Sequence, residues 1–146
     1  MTVIAWDGKT LAADKLGVWD GMKVTLRKIE VARGCLVGIA GSSGKSEELM
    51  AWFKNGAIPS ELPEFQRGSD WCPMIMINAA GHVHIYENAA MPARLYNDKV
   101  AIGSGREVAA TAMHLGLDAA NAVRVCSELL NGCGNGCDVL TLADLR

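Results

Sequence analysis

The chain divides into short apolar or alternating stretches, the signature of strands, and three longer stretches whose apolar residues recur at helical spacing. Residues 2–6 and 10–14 flank Asp7-Gly8-Lys9, a turn signal that predicts a β-hairpin. A two-residue loop there pairs Trp6 with Lys9, and a three-residue loop pairs Trp6 with Thr10 and sets Thr2 opposite Asp14 on a shared face. A second hairpin is expected around Asp20-Gly21, with Met22, Val24 and Leu26 on one face and Lys23, Thr25 and Arg27 on the other. That period carries Lys28 onto the apolar face, where an ammonium must be paired or reach out to solvent.

Cys35-Leu36-Val37-Gly38-Ile39-Ala40-Gly41 reads as a buried strand. It leads through Ser42-Ser43-Gly44 into a helix with Leu49, Met50, Trp52 and Phe53 at core spacing, ended by Gly56. Residues 57–70, with Pro59, Pro63 and Gly68, read as a surface connection and the most mobile segment. Residues 71–77 and 82–86 form another hairpin across Asn78-Ala79-Ala80-Gly81, and residues 99–102 add a short strand. Two helices follow, over residues 106–115 and from the N-cap Asp118 to Asn131-Gly132, before a closing strand at residues 138–142. Hairpins interrupted by one helix and then by a helix pair predict an α+β fold, with sheets carrying helices on their outer faces rather than a doubly wound parallel sheet.

At 146 residues the chain fits a single domain, residues 1–146. A net charge of −2 offers no electrostatic footprint for nucleic acid or an anionic membrane. No apolar run reaches the ~20 residues that span a bilayer, and the N-terminus lacks the pattern of a signal peptide, which predicts a cytoplasmic protein. The five cysteines are odd in number and sit mostly in apolar patterns, so they are expected to be reduced. Trp19, Trp52, Trp71 and Met91 supply more large apolar groups than one small core obviously needs, which hints at a subunit surface.

Several segments could carry chemistry. Removal of Met1 leaves Thr2 with a free α-amine, which can take the proton of the neighbouring hydroxyl and make it a nucleophile. Ala40-Gly41-Ser42-Ser43-Gly44-Lys45-Ser46 approaches a phosphate-binding loop, but the required first glycine falls on Ile39, whose side chain obstructs the wrapping of backbone amides, so nucleotide binding is a minor alternative. His82 and His84 share a strand face without a carboxylate or cysteine at ligand spacing, and no metal or other cofactor is expected. His114 reads as an ordinary helix histidine. Cys133-Gly134-Asn135-Gly136-Cys137 reads as a tight glycine-rich turn rather than a zinc site, and Ala101-Ile102-Gly103-Ser104-Gly105 reads in isolation as a flexible turn with an N-capping serine.

Together these segments resemble the proteasome β-subunit family, especially the HslV-type peptidases among the N-terminal nucleophile (Ntn) hydrolases. Thr2-Val3-Ile4-Ala5 is similar to the family's threonine strand, Leu11-Ala12-Ala13-Asp14 to its alanine-rich strand, and Leu26-Arg27-Lys28-Ile29 to its lysine segment. Gly38-Ile39-Ala40-Gly41 resembles the strand whose last glycine gives an oxyanion-hole amide, and Ala101 to Gly105 the Ile-Gly-Ser-Gly motif. The resemblance implies a four-layer αββα sandwich and a threonine-dependent peptidase. Thr2 would be the nucleophile, Lys28 would favour the neutral amine and the developing alkoxide, Asp14 would pair with Lys28, the Gly41 N–H would hold the oxyanion and Ser104 would orient the amine.

It further implies methionine removal, peptide or unfolded-protein substrates, a homo-oligomeric ring and an ATP-dependent unfoldase partner. Where the family often carries an aspartate after the last helix, this chain has Asn131, and its connections are short. A catalytically silent scaffold subunit that self-assembles is the alternative.

Overall fold

The computed structural model describes residues 1–66 and 70–146. Eleven strands and three helices follow one another as β1 (Ile4–Trp6), β2 (Thr10–Asp14), β3 (Leu16–Trp19), β4 (Met22–Thr25), β5 (Ile29–Ala32), β6 (Cys35–Ile39), α1 (Ser43–Lys54), β7 (Pro73–Ile77), β8 (Val83–Glu87), β9 (Ala93–Leu95), β10 (Val100–Ile102), α2 (Arg106–His114), α3 (Ala119–Leu129) and β11 (Cys137–Thr141). Among the described residues all strand pairs are antiparallel. One sheet runs β10-β1-β2-β11, another is the meander β5-β6-β7-β8-β9, and β3-β4 stands apart as a two-stranded ribbon. The fold is α+β, as the hairpin and helix pattern predicts.

Alternation in β1 and β2 sorts the first sheet's side chains between two cores. Ile4, Trp6, Leu11 and Ala13 meet Ile29, Leu36, Ile75 and Ile77 of the meander. Val3, Ala5 and Ala12 meet Ala109, Met113, Val123 and Cys126 of α2 and α3. A third core joins the meander's other face, through Val37, Ile39 and Met74, to Leu49, Trp52 and Phe53 of α1. Trp52 is therefore a core residue, 4% exposed with its indole N–H donating to the Ile58 carbonyl at 2.7 Å, and does not contribute to a subunit surface. Trp19, Trp71 and Met91 are exposed.

The first hairpin adopts neither expected register. Trp6 pairs with Leu11 and Ile4 with Ala13, so Val3 rather than Thr2 faces Asp14. The cause is Asp7, whose Oδ1 accepts the N–H groups of Lys9 at 2.9 Å and Thr10 at 2.8 Å, while its own N–H donates to the Thr10 carbonyl. That side-chain turn lengthens the loop. The other Asp7 oxygen accepts the Ala119 N–H at 2.8 Å, tying the loop to the start of α3.

The second hairpin follows its sequence signal, with Trp19 opposite Met22 across Asp20 and Gly21, both left-handed at φ 49° and 75°. Two strands are additional to those read from sequence. β5 is separated from β6 by a tight turn at Arg33-Gly34, and β9 forms the edge of the meander.

The helices begin and end close to their expected limits. Asp118 caps α3 by accepting the Asn121 N–H at 2.8 Å, and α1 stops at Asn55 before Gly56 at φ 112°. The N-cap of α2 is Gly105, so Ser104 does not cap it. The connection over residues 57–70 contains a 3-10 turn at Pro59–Glu61, and the expected mobility falls in part on residues 67–69, outside the described residues.

Candidate active site

The start of the chain lies in a cradle made by the turn between β10 and α2. The Thr2 N–H donates to Ser104 Oγ at 3.1 Å, the Ser104 hydroxyl donates to the Thr2 carbonyl at 3.3 Å, and the Gly105 N–H donates to that same carbonyl at 3.1 Å. Gly103 makes the close approach possible. It is left-handed at φ 93°, and a Cβ there would collide with the Thr2 carbonyl. Ser104 thus spends its hydroxyl on Thr2 instead of on the helix.

Asp14, at the end of β2, is completely buried and fully used. Its Oδ1 accepts from the Val3 N–H at 3.0 Å and from Lys28 Nζ at 2.9 Å. Its Oδ2 accepts from the N–H groups of Leu16 at 3.3 Å and Gly134 at 3.1 Å. A buried ion pair persists when hydrogen bonds satisfy its remaining lone pairs, and three backbone amides do that here.

Lys28 sits between β4 and β5 with its side chain 7% exposed, and donates a second bond, to the Met1 carbonyl, at 3.0 Å. The inward lysine is paired, not solvated. Its ammonium therefore rests on the peptide bond that joins Met1 to Thr2.

Gly41 follows the end of β6 at φ 104°, and a Cβ on it would collide with the Trp71 carbonyl. Only glycine fits this bend. Among the described residues its N–H donates to no protein acceptor. The segment against it is tied down by Asn88, which accepts the Cys72 N–H at 3.1 Å and donates to the Asp70 carbonyl at 3.2 Å, and by the Cys72 thiol on the Ser42 carbonyl.

Two clefts, of about 720 and 330 Å³, share Thr2 and Gly41 as lining residues. Gly103 and Ser104 line the larger cleft, and Lys28 lines the smaller. The structure thus gathers Asp14, Lys28 and Ser104 around the backbone of Met1, Thr2 and Val3, with Gly41 lining both clefts beside Thr2.

Several neighbours carry no signal of their own in the sequence. The glycine-rich turn after α3 does turn tightly, with Gly134, Asn135 and Gly136 all at positive φ, but its Gly134 amide also aims at Asp14. Cys133 is buried beside the ion pair, and its thiol is pushed up by burial and by the Asp14 charge, with Lys28 pulling the other way. Asn131 is exposed, and the adjacent Gly132 leaves the space that the Met1 side chain occupies.

Of the phosphate-loop-like segment, Ser43, Gly44 and Ser46 line the smaller cleft, while its lysine and the histidines lie elsewhere. Lys45 pairs with Glu48 at 3.0 Å within α1. His82 is exposed, whereas His84 is half-buried with an unpartnered Nδ1, a departure from the expected solvent-facing pair. His114 is exposed. Among the described residues no three His, Cys, Asp or Glu side chains gather as a metal site would require. All five cysteines are free thiols, and among the described residues no helix is long and apolar enough to cross a membrane.

No protein-family model and no curated protein matches this chain. Solved structures do. BPH from Thiobacillus denitrificans superposes with a TM-score of 0.68 at 20% identity over 97% of this chain and 98% of that one. The same protein in complex with epoxomicin gives 0.68 and 20% over 97% and 99%. HslV from Trypanosoma brucei gives 0.67 and 18% over 95% and 97%. Two chains that align almost end to end at so little identity share an architecture, and the fold of this protein is the HslV-type, proteasome-like fold.

Proposed function

We propose that the protein is an N-terminal threonine peptidase, active once Met1 is removed and Thr2 carries a free amine. The observation that carries this reading is the convergence of the buried Asp14–Lys28 pair and Ser104 on the two sides of Thr2: Lys28 on the carbonyl before it, Ser104 on its nitrogen. Thr2 Oγ attacks a peptide carbonyl and its amine takes the hydroxyl proton, while Ser104 orients that amine. The Lys28 charge, held by Asp14, favours the neutral amine and the alkoxide that forms. The Gly41 N–H, free of protein acceptors among the described residues, serves the oxyanion. No cofactor enters this chemistry.

The reading extends to the protein's surroundings. Its substrates are peptides or unfolded proteins, and its site is enclosed by a homo-oligomeric ring in the cytoplasm, fed by an ATP-dependent unfoldase. Val18, Trp19, Met22 and Met91 are exposed apolar groups of the kind such contacts cover. Three separate cores, between α2–α3 and one sheet, between the sheets, and between the meander and α1, support the four-layer αββα arrangement.

The decisive experiment joins intact mass to activity. A chain beginning at Thr2 is expected to hydrolyse peptide amides and to form a covalent adduct with epoxomicin, the compound bound in one of the similar structures. Thr2→Ala is expected to keep the fold and lose both. Retention of hydrolysis by Thr2→Ala, with contaminating proteases excluded, overturns the reading. A second reading is a silent scaffold subunit, in which Met1 stays in place, Lys28 holds its carbonyl and Thr2 has an amide in place of an amine. A mature chain that retains Met1 selects it.

A further inference from the structure

The two clefts that meet at Thr2 differ in size and in chemistry. The smaller mixes Arg27, Lys28, Glu30 and Glu47 with Leu26, Ile29, Ile39 and Met50. The larger, about 720 Å³, lies within the roughly 300–1,000 Å³ of ordinary ligand pockets. Its floor is Ile85, Leu95 and Ile102, where the inter-sheet core opens to solvent, and its wall is Trp71, 52% exposed. Glu87 and Arg106 line it as well.

Proton transfer decides which end of a substrate enters it. In the acylation step the Thr2 Oγ–carbonyl bond forms and the C–N bond breaks, and the proton taken up by the Thr2 amine passes to the departing nitrogen. Water then cleaves the ester, and the products are one carboxylic acid and one amine. The departing nitrogen must therefore lie on the side of the Thr2 nitrogen and Ser104. Ser104 and Gly103 line the larger cleft and not the smaller.

Resting on the peptidase reading, we propose that the larger cleft receives the residue on the leaving side of the scissile bond and selects bulky apolar side chains there. Leu95 and Trp71 are its specificity-determining residues. An apolar side chain seated against Leu95 and Trp71 covers exposed apolar surface, whereas a charged one set there loses hydration against them, the cleft's own charges being confined to Glu87 and Arg106.

The test uses the full chain beginning at Thr2 and internally quenched peptides that are identical on the acyl side, with cleavage sites mapped by mass. Phe, Leu or Met after the cleaved bond is expected to raise kcat/KM at least about tenfold over Gly or Asp, the scale of hydrophobic pocket discrimination. Leu95→Glu, on the edge strand β9, is expected to abolish that preference and favour Lys or Arg at the same position. Trp71→Ala is expected to weaken the preference without altering choice on the acyl side. Cleavage indifferent to the leaving-side residue overturns this inference alone, as does a preference that Leu95→Glu and Trp71→Ala both leave intact. Absence of any cleavage, or of an epoxomicin adduct, overturns the peptidase reading and this inference with it.

Discussion

Two hairpins begin this chain, each built on an Asp-Gly pair, and they behave oppositely. The β3–β4 ribbon takes the two-residue loop that its Asp20-Gly21 turn specifies, and it projects with Val18 70% and Trp19 65% exposed. The β1–β2 hairpin takes a longer loop, and its strand residues are buried apart from half-buried Thr10. Turn chemistry governs register where the turn itself is open to solvent, as at Gly21, although Leu16 is buried and the Asn135 side chain donates to the Val24 carbonyl farther along the ribbon. In β1–β2, Asp7 answers to α3 as well as to its own loop, and one aspartate engages three backbone amides. The result is a shift that sets Val3 against Asp14 and leaves Thr2 beyond the paired strand, held by the β10–α2 turn.

The contrast is open to experiment. Asp14→Ala, at the buried end of the first hairpin, removes the acceptor of three backbone amides and the partner of Lys28, and is expected to cost about 3–5 kcal/mol in urea unfolding. A loss below 1 kcal/mol would show that the pair is not buried as described. Asp7→Ala is expected to cost roughly 1–3 kcal/mol, because the Lys9, Thr10 and Ala119 amides lose their acceptor, whereas Asp20→Gly, in the exposed turn, should stay within about 0.5 kcal/mol. Equal effects of these two changes would erase the distinction between the hairpins.

If the proposed ring forms, Trp19→Ser is expected to leave the unfolding free energy within about 0.5 kcal/mol and to lower the mass seen in light scattering. An unchanged assembly would release the ribbon from any role as a subunit contact. The smallest effect concerns thiols. Burial, with the charges of Cys133 and Asp14 adding to it, pushes Cys126 up to about 11, so it stays protonated and unreactive at neutral pH. Exposed Cys137 should alkylate first in a mass-resolved time course, and Cys126 only on unfolding.

The sequence is informative wherever one local pattern decides the outcome. Apolar spacing locates α1 and α3, the Asp118 cap is where its side chain predicts, and Lys28 on an apolar face does find a buried carboxylate. It is silent where a distant partner decides. Nothing in Asp7-Gly8-Lys9 reveals that Ala119 will compete for the aspartate, and nothing in the glycine-rich turn reveals that the Gly134 amide will reach Asp14. β9 is three residues long and is recognisable only by its pairing with β8. Trp52 sits on the core face of α1 by its spacing, yet its indole N–H finds its acceptor only because the chain turns back at Ile58.

The strand order of the sheets has a consequence in time. The meander from β5 to β9 pairs each strand with its sequence neighbour, so its strand pairing can be complete once β9 has been made. The sheet that follows Thr2 is completed later, because β1 waits for β10 and β2 for β11 at residues 137–141. Ser104 and Gly134, which complete the surroundings of Thr2 and Asp14, likewise come from the final third of the chain. A nascent chain therefore carries Thr2 and Asp14 from the outset without their partners, and the surroundings of both are complete only after residue 134 has been made and the late strands have paired.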